Sequence, residues 1–458
     1  MGLQLYVKQK LAEIIKEKTP DNIELSYDDL DVNILLASVE WHNLRLKTLK
    51  NKSKEALSLV TLETLEINHI GYWSLWQNKR FEVDNIKGVN GNVTLFKKET
   101  EDVHFSLQDI SFELSELITD EAMLQNKIPF NYKNLDIDLQ ELYLDLSRFE
   151  TLKMARLSFN NNDLEFQDVS ITSKYNKEEL SKRLLVERDY VDFKVPSGII
   201  KGLDLETVND SFSVSVERFD LNNSELQLYR NKLLPDDFTI KLLYGSKLET
   251  LPIKLNIESF FVNDADVFYS EKVDLDIDPV FISFENLDAE ILNISNTNNK
   301  KIDIKVLAKL MGEAPIEFEW DFNTKDTADS FNASAILKDL DATTINPFLE
   351  AQANVRAVGR IHEMYFTIHG NDFESHGDMK MKYENFKFSI LDEDQLGINK
   401  TLSTLVNILT NDGSKTDANG YRYGDINVER DRTKSFFNYL WLNTKDGLKT
   451  TVVGNGKK

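Results

Sequence analysis

Apolar and polar residues alternate along most of this chain. The stretches "IELSYDDLDVNILLASVEWHNLRLKTL", "LSLVTLETLEINHI", "VHFSLQDISFEL", "LDIDLQELYLDL" and "DLEFQDVSITSKY" repeat with a period of two, which predicts half-buried β-strands. The alternation also stutters. Tyr27-Leu30-Val32, Trp41-Leu44-Leu46, Leu107-Ile110-Phe112, Leu139-Leu142-Leu144 and Met154-Leu157-Phe159 each set two apolar residues three apart and a third two further on. In a strand a step of three sends the following side chains to the opposite face, so each stutter predicts a bulge or a tight corner.

One strand-turn-strand unit is written three times, in Phe81–Lys98, Val214–Asn231 and Ile253–Lys272. Aligned on Val83, Val216 and Ile257, each copy continues with an acid (Asp84, Glu217, Glu258) and then an apolar residue (Ile86, Phe219, Phe260). An Asn or Asp followed by a small residue comes next: Asn90-Gly91, Asn223-Ser224 and Asp264-Ala265. Alternating apolar pairs close the unit: Val93 and Leu95, Leu226 and Leu228, Val267 and Tyr269. A template this detailed is expected about 0.1 times by chance, so three copies mark a structural repeat.

Helical spacing is confined to a few segments. Leu3, Val7, Leu11, Ile14 and Ile15 predict an opening amphipathic helix that Pro20 ends. Such an opening suits either a natural start or a segment that follows a removed membrane anchor. "ITDEAMLQ" (118–125), "NKEELSKRLLVE" (176–187), "NKTLSTLVNILTND" (399–412) and "RTKSFFNYLWLNTKDGLKTTVVG" read as further helices. The weakest seam in the body is "NKLLPDDF", Asn231 to Phe238, and no flexible Ser/Gly linker appears.

Composition narrows the function. With 458 residues, 41% hydrophobic and 27 Phe, the chain can bury a large apolar surface. A net charge of −23 argues against nucleic acid and against a polybasic membrane-binding surface. The absence of Cys excludes thiol nucleophiles, disulfides and Cys-based zinc sites. Asp274, Asp276, Asp278 and Glu285 have the spacing of a calcium loop, but Pro279 stands where a glycine must make the turn, and the flanks are strand-like. His369 and His376 flank Asp372 in what reads as a polar turn. No nucleophile elbow, phosphate loop or dinucleotide fingerprint occurs. The expectation is a non-enzymatic protein without cofactor or metal.

The repeated unit with Asn/Asp-small at its corner resembles the AsmA-like proteins of Gram-negative envelopes, relatives of TamB. Asn371-Asp372, Gly377, Met379, Met381 and Tyr383, then Arg430-Asp431 and "SFFNYLW", resemble the C-terminal region of AsmA-like proteins in Bacteroidota. The likeness is loose before residue 230 and tighter after 330. It implies a mainly β protein: an elongated, curled antiparallel sheet forming a trough, with a few short helices at the N-terminus, in mid-chain and at the C-terminus. The implied divisions are an N-terminal helix (1–20), an N-terminal β region (21–232), a C-terminal β region (233–395) and a helical closure (396–458). Family members are periplasmic, held to the inner membrane by an N-terminal anchor that this chain lacks, and are associated with outer-membrane lipid homeostasis. Their trough is thought to carry the acyl chains of phospholipids; other envelope proteins are possible partners. On that reading Val83, Val93, Leu95, Val216, Leu226, Leu228, Ile257, Val267 and Tyr269 contribute to an apolar lining. The alternative is an envelope scaffold in which they fill a closed core. Phe436, Phe437, Tyr439 and Trp441 read as a plug at one end of the sheet in preference to a membrane-interface anchor.

Overall fold

A computed structural model describes residues 2–50, 55–98, 100–125, 129–208, 211–276, 278–391 and 416–454. The protein is mainly β, as the alternation predicts. Its strands belong to one mostly antiparallel sheet of 21, with a few short helices. The chain divides into two compact units, residues 1–174 with 194–213 and residues 175–193 with 214–458.

The first unit opens with helix α1 (Gly2–Lys18) and runs as a meander: β1 (Ile23–Ser26), β2 (Asp29–Asn33), β3 (Ser38–Leu49), β4 (Ala56–Ile70), α2 (Tyr72–Asn78), β5 (Phe81–Phe96), β6 (Val103–Thr119), β7 (Asn134–Leu144), β8 (Glu150–Asn160) and β9 (Asp163–Ser173). Helix α3 (Lys177–Arg183), which belongs to the second unit, comes next, then β10 (Asp189–Lys201), β11 (Asp204–Val208) and β12 (Ser211–Asn222), with β11 in the first unit and the residues of β10 and β12 divided between the two. The second unit continues with β13 (Glu225–Asn231), α4 (Tyr244–Glu249), β14 (Lys254–Lys272), β15 (Val280–Ser295), β16 (Ile302–Leu310), β17 (Ala314–Phe322) and β18 (Phe331–Asp341). It ends with α5 (Asn346–Ala353), β19 (Val355–Gly370), β20 (Glu374–Ile390), β21 (Arg422–Glu429) and α6 (Phe436–Val453).

The stutters have one physical origin. Asn43, Asn90, Asp109, Glu141, Asn223, Asp264 and Asn286 all have φ between 48° and 54°, in the left-handed region. Each is exposed, and each has an apolar or small residue two places before and one place after: Trp41 and Leu44, Gly88 and Gly91, Leu107 and Ile110, Leu139 and Leu142, Leu221 and Ser224, Val262 and Ala265, Phe284 and Leu287. The left-handed residue absorbs the extra position, so residues three apart keep the same face. Ladder registers shift at these places, between Gly88 and Gly91 and between Val262 and Ala265. Met154-Leu157 lies on β8, which has no left-handed residue of its own; the left-handed residues sit on its neighbours, Glu141 in β7 and Asp168 in β9. Tyr27-Leu30 spans the corner between β1 and β2.

Side chains repair the hydrogen bonding that the bulges disrupt. The Asp264 amide donates to Asp288 Oδ1 at 3.0 Å, and the Asn286 amide donates to Asp266 Oδ1 at 3.0 Å. A carboxylate two residues past each bulge thus caps its neighbour's freed N–H, which would otherwise be left unpaired.

Two copies of the repeat lie side by side. β13 pairs with β14 in parallel, with Leu226 opposite Val267 and Leu228 opposite Tyr269. Phe219 stacks on Phe260 with ring centroids 4.8 Å apart, and the Asn223 side-chain amide donates to Asp264 Oδ2 at 3.1 Å. Equivalent residues of the two copies are therefore neighbours in space.

Two helix expectations need comment. Around 118–125 the strand β6 persists to Thr119, because Leu117 and Thr119 pair with Val83 and Phe81; only a 3-10 turn, Met123–Gln125, follows. The stretch 399–412 lies outside the described residues. Helix α3 and the aromatic α6 form as expected, with Asn176 and Ser435 as side-chain N-caps.

Glu141 tests the bulge. It is exposed with φ 49°, so Glu141→Gly should raise stability by up to about 1 kcal/mol, and Glu141→Val should lower it by about 1–2 kcal/mol, both read from urea midpoints. Equal effects from both changes would show that the left-handed backbone costs nothing there.

Candidate functional site

In the first unit the bulges keep apolar residues in rows that run across the strands. The longest row passes from Leu30 to Trp41, Leu65, Gly88, Phe112, Ile137, Phe159 and Leu164, each opposite the next on the adjacent strand. Eight strands at about 4.8 Å spacing make this row about 34 Å long. A second row runs Val32, Val39, Ile67, Ile86, Leu114, Leu135. A third runs Leu25, Leu46, Val60, Val93, Leu107. Gly88 lets the sheet stay level under the Phe112 ring: a Cβ at Gly88 would lie 2.3 Å from Phe112 Cε1.

Leu30, Val39, Gly88 and Leu114 are buried, and the other residues of these rows are only partly so. Trp41, Leu65, Phe112, Ile137, Phe159 and Leu164 all keep part of their surface in water. Among the described residues of this unit, α1 packs beside β2 and α2 beside β5, and no helix or second sheet packs extensively across β6–β9. The opposite face is polar, with Arg156 paired to Asp138 at 2.7 Å and Asn85 donating to Glu113 at 2.7 Å. What the first unit offers is a continuous apolar face that is left uncovered over β6–β9 and is flanked by α1 and α2 toward its first strands.

The second unit treats an equivalent row differently. Phe260, Ile291, Ile304, Trp320, Ala333, Ile368, Gly377 and Ile426 stand in register across eight strands. Its far half is closed: Ala333, Ile368 and Ile426 are at most 2% exposed. Helix α6 provides the cover. Phe436 stacks on Trp320 at 4.3 Å and meets Phe331 edge-on at 5.1 Å. Gly447 brings the helix close to Met379 and Ile426. Arg422, buried in the sheet, donates to the carbonyls of Thr451, Val452 and Gly454 at 3.0–3.1 Å and so caps the helix C-terminus. Phe436 and Tyr439 are plugged in, and Phe437 stays exposed.

The nine expected lining residues divide between the units. Val83, Val93 and Leu95 lie on β5. Val83 is buried between Ile70 and Leu117, whereas Val93 and Leu95 belong to partly open rows. Leu226, Leu228, Val267 and Tyr269 form a half-buried block on β13 and β14, Ile257 pairs with Ile294, and Val216 is buried. Tyr269 carries a polar handle: its hydroxyl donates to Glu271, which also accepts from Gln352. Burial and the Glu271 charge push the Tyr269 hydroxyl pKa far up, so it stays protonated. Sequence reasoning missed the cross-strand partners Trp41, Leu65, Phe112, Ile137 and Phe159. The stutter was the available signal, because it fixes which face each strand presents after its bulge.

The C-terminal motif residues have structural work. Asp372 pairs with Arg430 and, at 2.6 Å, with Arg432, and Arg430 also donates to the Lys241 carbonyl at 2.5 Å. A Cβ at Gly377 would lie 2.0 Å from the Thr367 carbonyl oxygen. Met379 and Met381 are fully buried. His369 and His376 pair across β19 and β20 and do not converge with Asp372: His369 meets Asn332 at 2.6 Å and His376 lies 3.7 Å from Glu374. Among the described residues no group of three His, Asp or Glu is placed to hold a metal ion, and no helix is long and apolar enough to cross a membrane. No family model matches the chain, and no curated protein matches it in sequence.

One charged cluster borders the open rows at an end of the sheet. Asp145, buried after β7, accepts from Lys174 and pairs with Lys97, and these hydrogen bonds hold its carboxyl below the usual range. The stabilisation is complete above the unfolded carboxyl pKa, near 3.9, and fades as pH falls through the lower folded value. Asp145→Asn should therefore lower stability at neutral pH and flatten the acid limb of the stability curve, as measured by denaturant unfolding at stepwise lower pH. Unchanged acid sensitivity would contradict the pairing.

Proposed function

We propose that the protein is a non-enzymatic cell-envelope protein that binds or conducts the acyl chains of phospholipids along the apolar rows of its first unit. The single observation that carries this reading is the row from Leu30 to Leu164, in register across eight strands, whose side chains from Phe112 to Leu164 stay partly exposed with no layer packed extensively over β6–β9. An acyl chain gains about 0.8 kcal/mol for each CH₂ it removes from water, and an apolar row supplies that gain without specific polar chemistry. The resemblance to AsmA-like proteins supports the periplasmic setting, an anchor in the inner membrane and a contribution to outer-membrane lipid homeostasis.

The scaffold alternative draws on the second unit, where α6 closes the sheet into an ordinary core. It accounts for residues around Trp320 and Phe436, but it leaves the first unit's rows without a purpose. Lipid is therefore assigned to the first unit.

Organic extraction of the purified protein should release phospholipid or fatty acid detectable by mass spectrometry. Ile137→Asp with Phe159→Asp should reduce uptake of a fluorescent fatty acid at least ~10-fold. Trp441→Ala, which loses an edge contact with Phe348 at 5.3 Å, should leave uptake intact and cost about 2–3 kcal/mol of stability. Lipid-free protein that also refuses the fluorescent probe would remove the acyl-chain reading.

A further inference from the structure

Alternate connections of the meander fall at the same end of the first unit's sheet. One end carries the connections after β3, β5 and β7, whose described residues include Lys50, Glu55, Lys97, Lys98, Glu101, Asp102, Asp145 and Arg148. The other end carries three apolar tips, the turn 34–37, helix α2 and the connection after β6, together with the polar turn Asn161-Asn162. Here Leu35 is 94% exposed, Trp73 66% and Leu124 62%, and Leu36, Tyr72 and Tyr132 are also exposed. These tips are held side by side by the ladder. The Ile70 amide donates to the Ala37 carbonyl at 2.9 Å, Phe81 stands opposite Thr119, and Ile118 bridges to Asn131. Two strand spacings separate one tip from the next, about 10 Å, so the three tips span about 20 Å.

We propose that this end of the sheet seats in the interfacial layer of a lipid bilayer. Three tips about 10 Å apart each offer Leu, Trp or Tyr from a short connection, a spaced set of apolar side chains rather than one broad face. A bilayer interface accepts such side chains without matching their shape, and it favours Trp and Tyr. The surface is also continuous with the open rows: Ile70, Val83 and Leu117 stand in register directly behind the tips. Of the nearby charges, Arg80 pairs with Glu82 at 3.0 Å and Lys133 with Glu116 at 2.6 Å, while the exposed Lys79 and Glu121 are of opposite sign. Insertion is thus driven by apolar contact and needs no anionic lipid. The inference stands on the tips themselves; the acyl-chain reading adds only that a chain leaving the bilayer here would meet the rows at once.

The test uses the full chain and vesicles of pure phosphatidylcholine in a flotation assay. The unmodified protein should bind, with little change between about 0.1 and about 0.5 M salt. Leu35→Asp with Leu36→Asp, and separately Trp73→Asp, should each weaken binding at least ~10-fold. Leu146→Asp, at the charged end, should not. Brominated phosphatidylcholine should quench a fluorescence component that Trp73→Phe removes, a readout that needs no destabilising change. The proposal is overturned if the unmodified protein fails to float, if the tip variants bind as well as it does, or if the tips instead hold a dimer that those variants dissociate. Vesicle binding without fatty-acid uptake would leave this inference standing and remove the acyl-chain reading; uptake without vesicle binding would remove this inference alone.

Discussion

The left-handed residue inside the strand is the constraint on which the rest of this molecule depends. In a long strand with strict alternation, an uncompensated extra residue would turn every following apolar side chain to water. Here a polar residue at positive φ takes up each irregularity, and the side chains on either side of it stay on one face. Asn and Asp suit the position because their short polar side chains tolerate that backbone region and can bond locally. Asp266 and Asp288 then cap the amides that the bulges release. Without these devices the rows from Leu30 to Leu164 and from Phe260 to Ile426 would break wherever the strands bend.

The two units spend their apolar rows in opposite ways. In the second, α6 lies on the sheet, with Phe436 on Trp320 and Arg422 holding the last carbonyls of the helix. The conspicuous C-terminal motif residues, Asp372, Gly377, Met379 and Arg430, belong to this closure and explain themselves as packing and ion pairing. In the first unit comparable rows have no such cover. The contrast localises the functional reading, because the same kind of surface is sealed in one unit and left open in the other.

Much of this was legible in the sequence, and the limits have physical causes. The period of two announced a mainly β chain, and the stutters announced bulges; Trp41-Leu44 and Leu139-Leu142 turn at Asn43 and Glu141. The repeat even contained its own register, since Leu226 and Val267, matched by sequence, became ladder partners. What the sequence did not yield was the set of rows, because a row is assembled from strands far apart in the chain and each bulge offsets the count. Helix α2 was also missed: the seven residues of "YWSLWQN" are too few to display a helical period. The persistence of β6 to Thr119 was decided by its partner Phe81, not by local preference.

The antiparallel meander has a consequence for how such a molecule can change in size. Each successive crossing returns the chain to the rim it left one crossing earlier, so the rim a loop occupies is set by parity alone: Leu35, Trp73 and Leu124 share one rim with Asn161, and Lys97 and Asp145 share the other with Leu146. Inserting a single crossing would invert that sorting for every loop downstream, whereas inserting a hairpin would preserve it. Growth or shrinkage of this fold is thereby quantised in pairs.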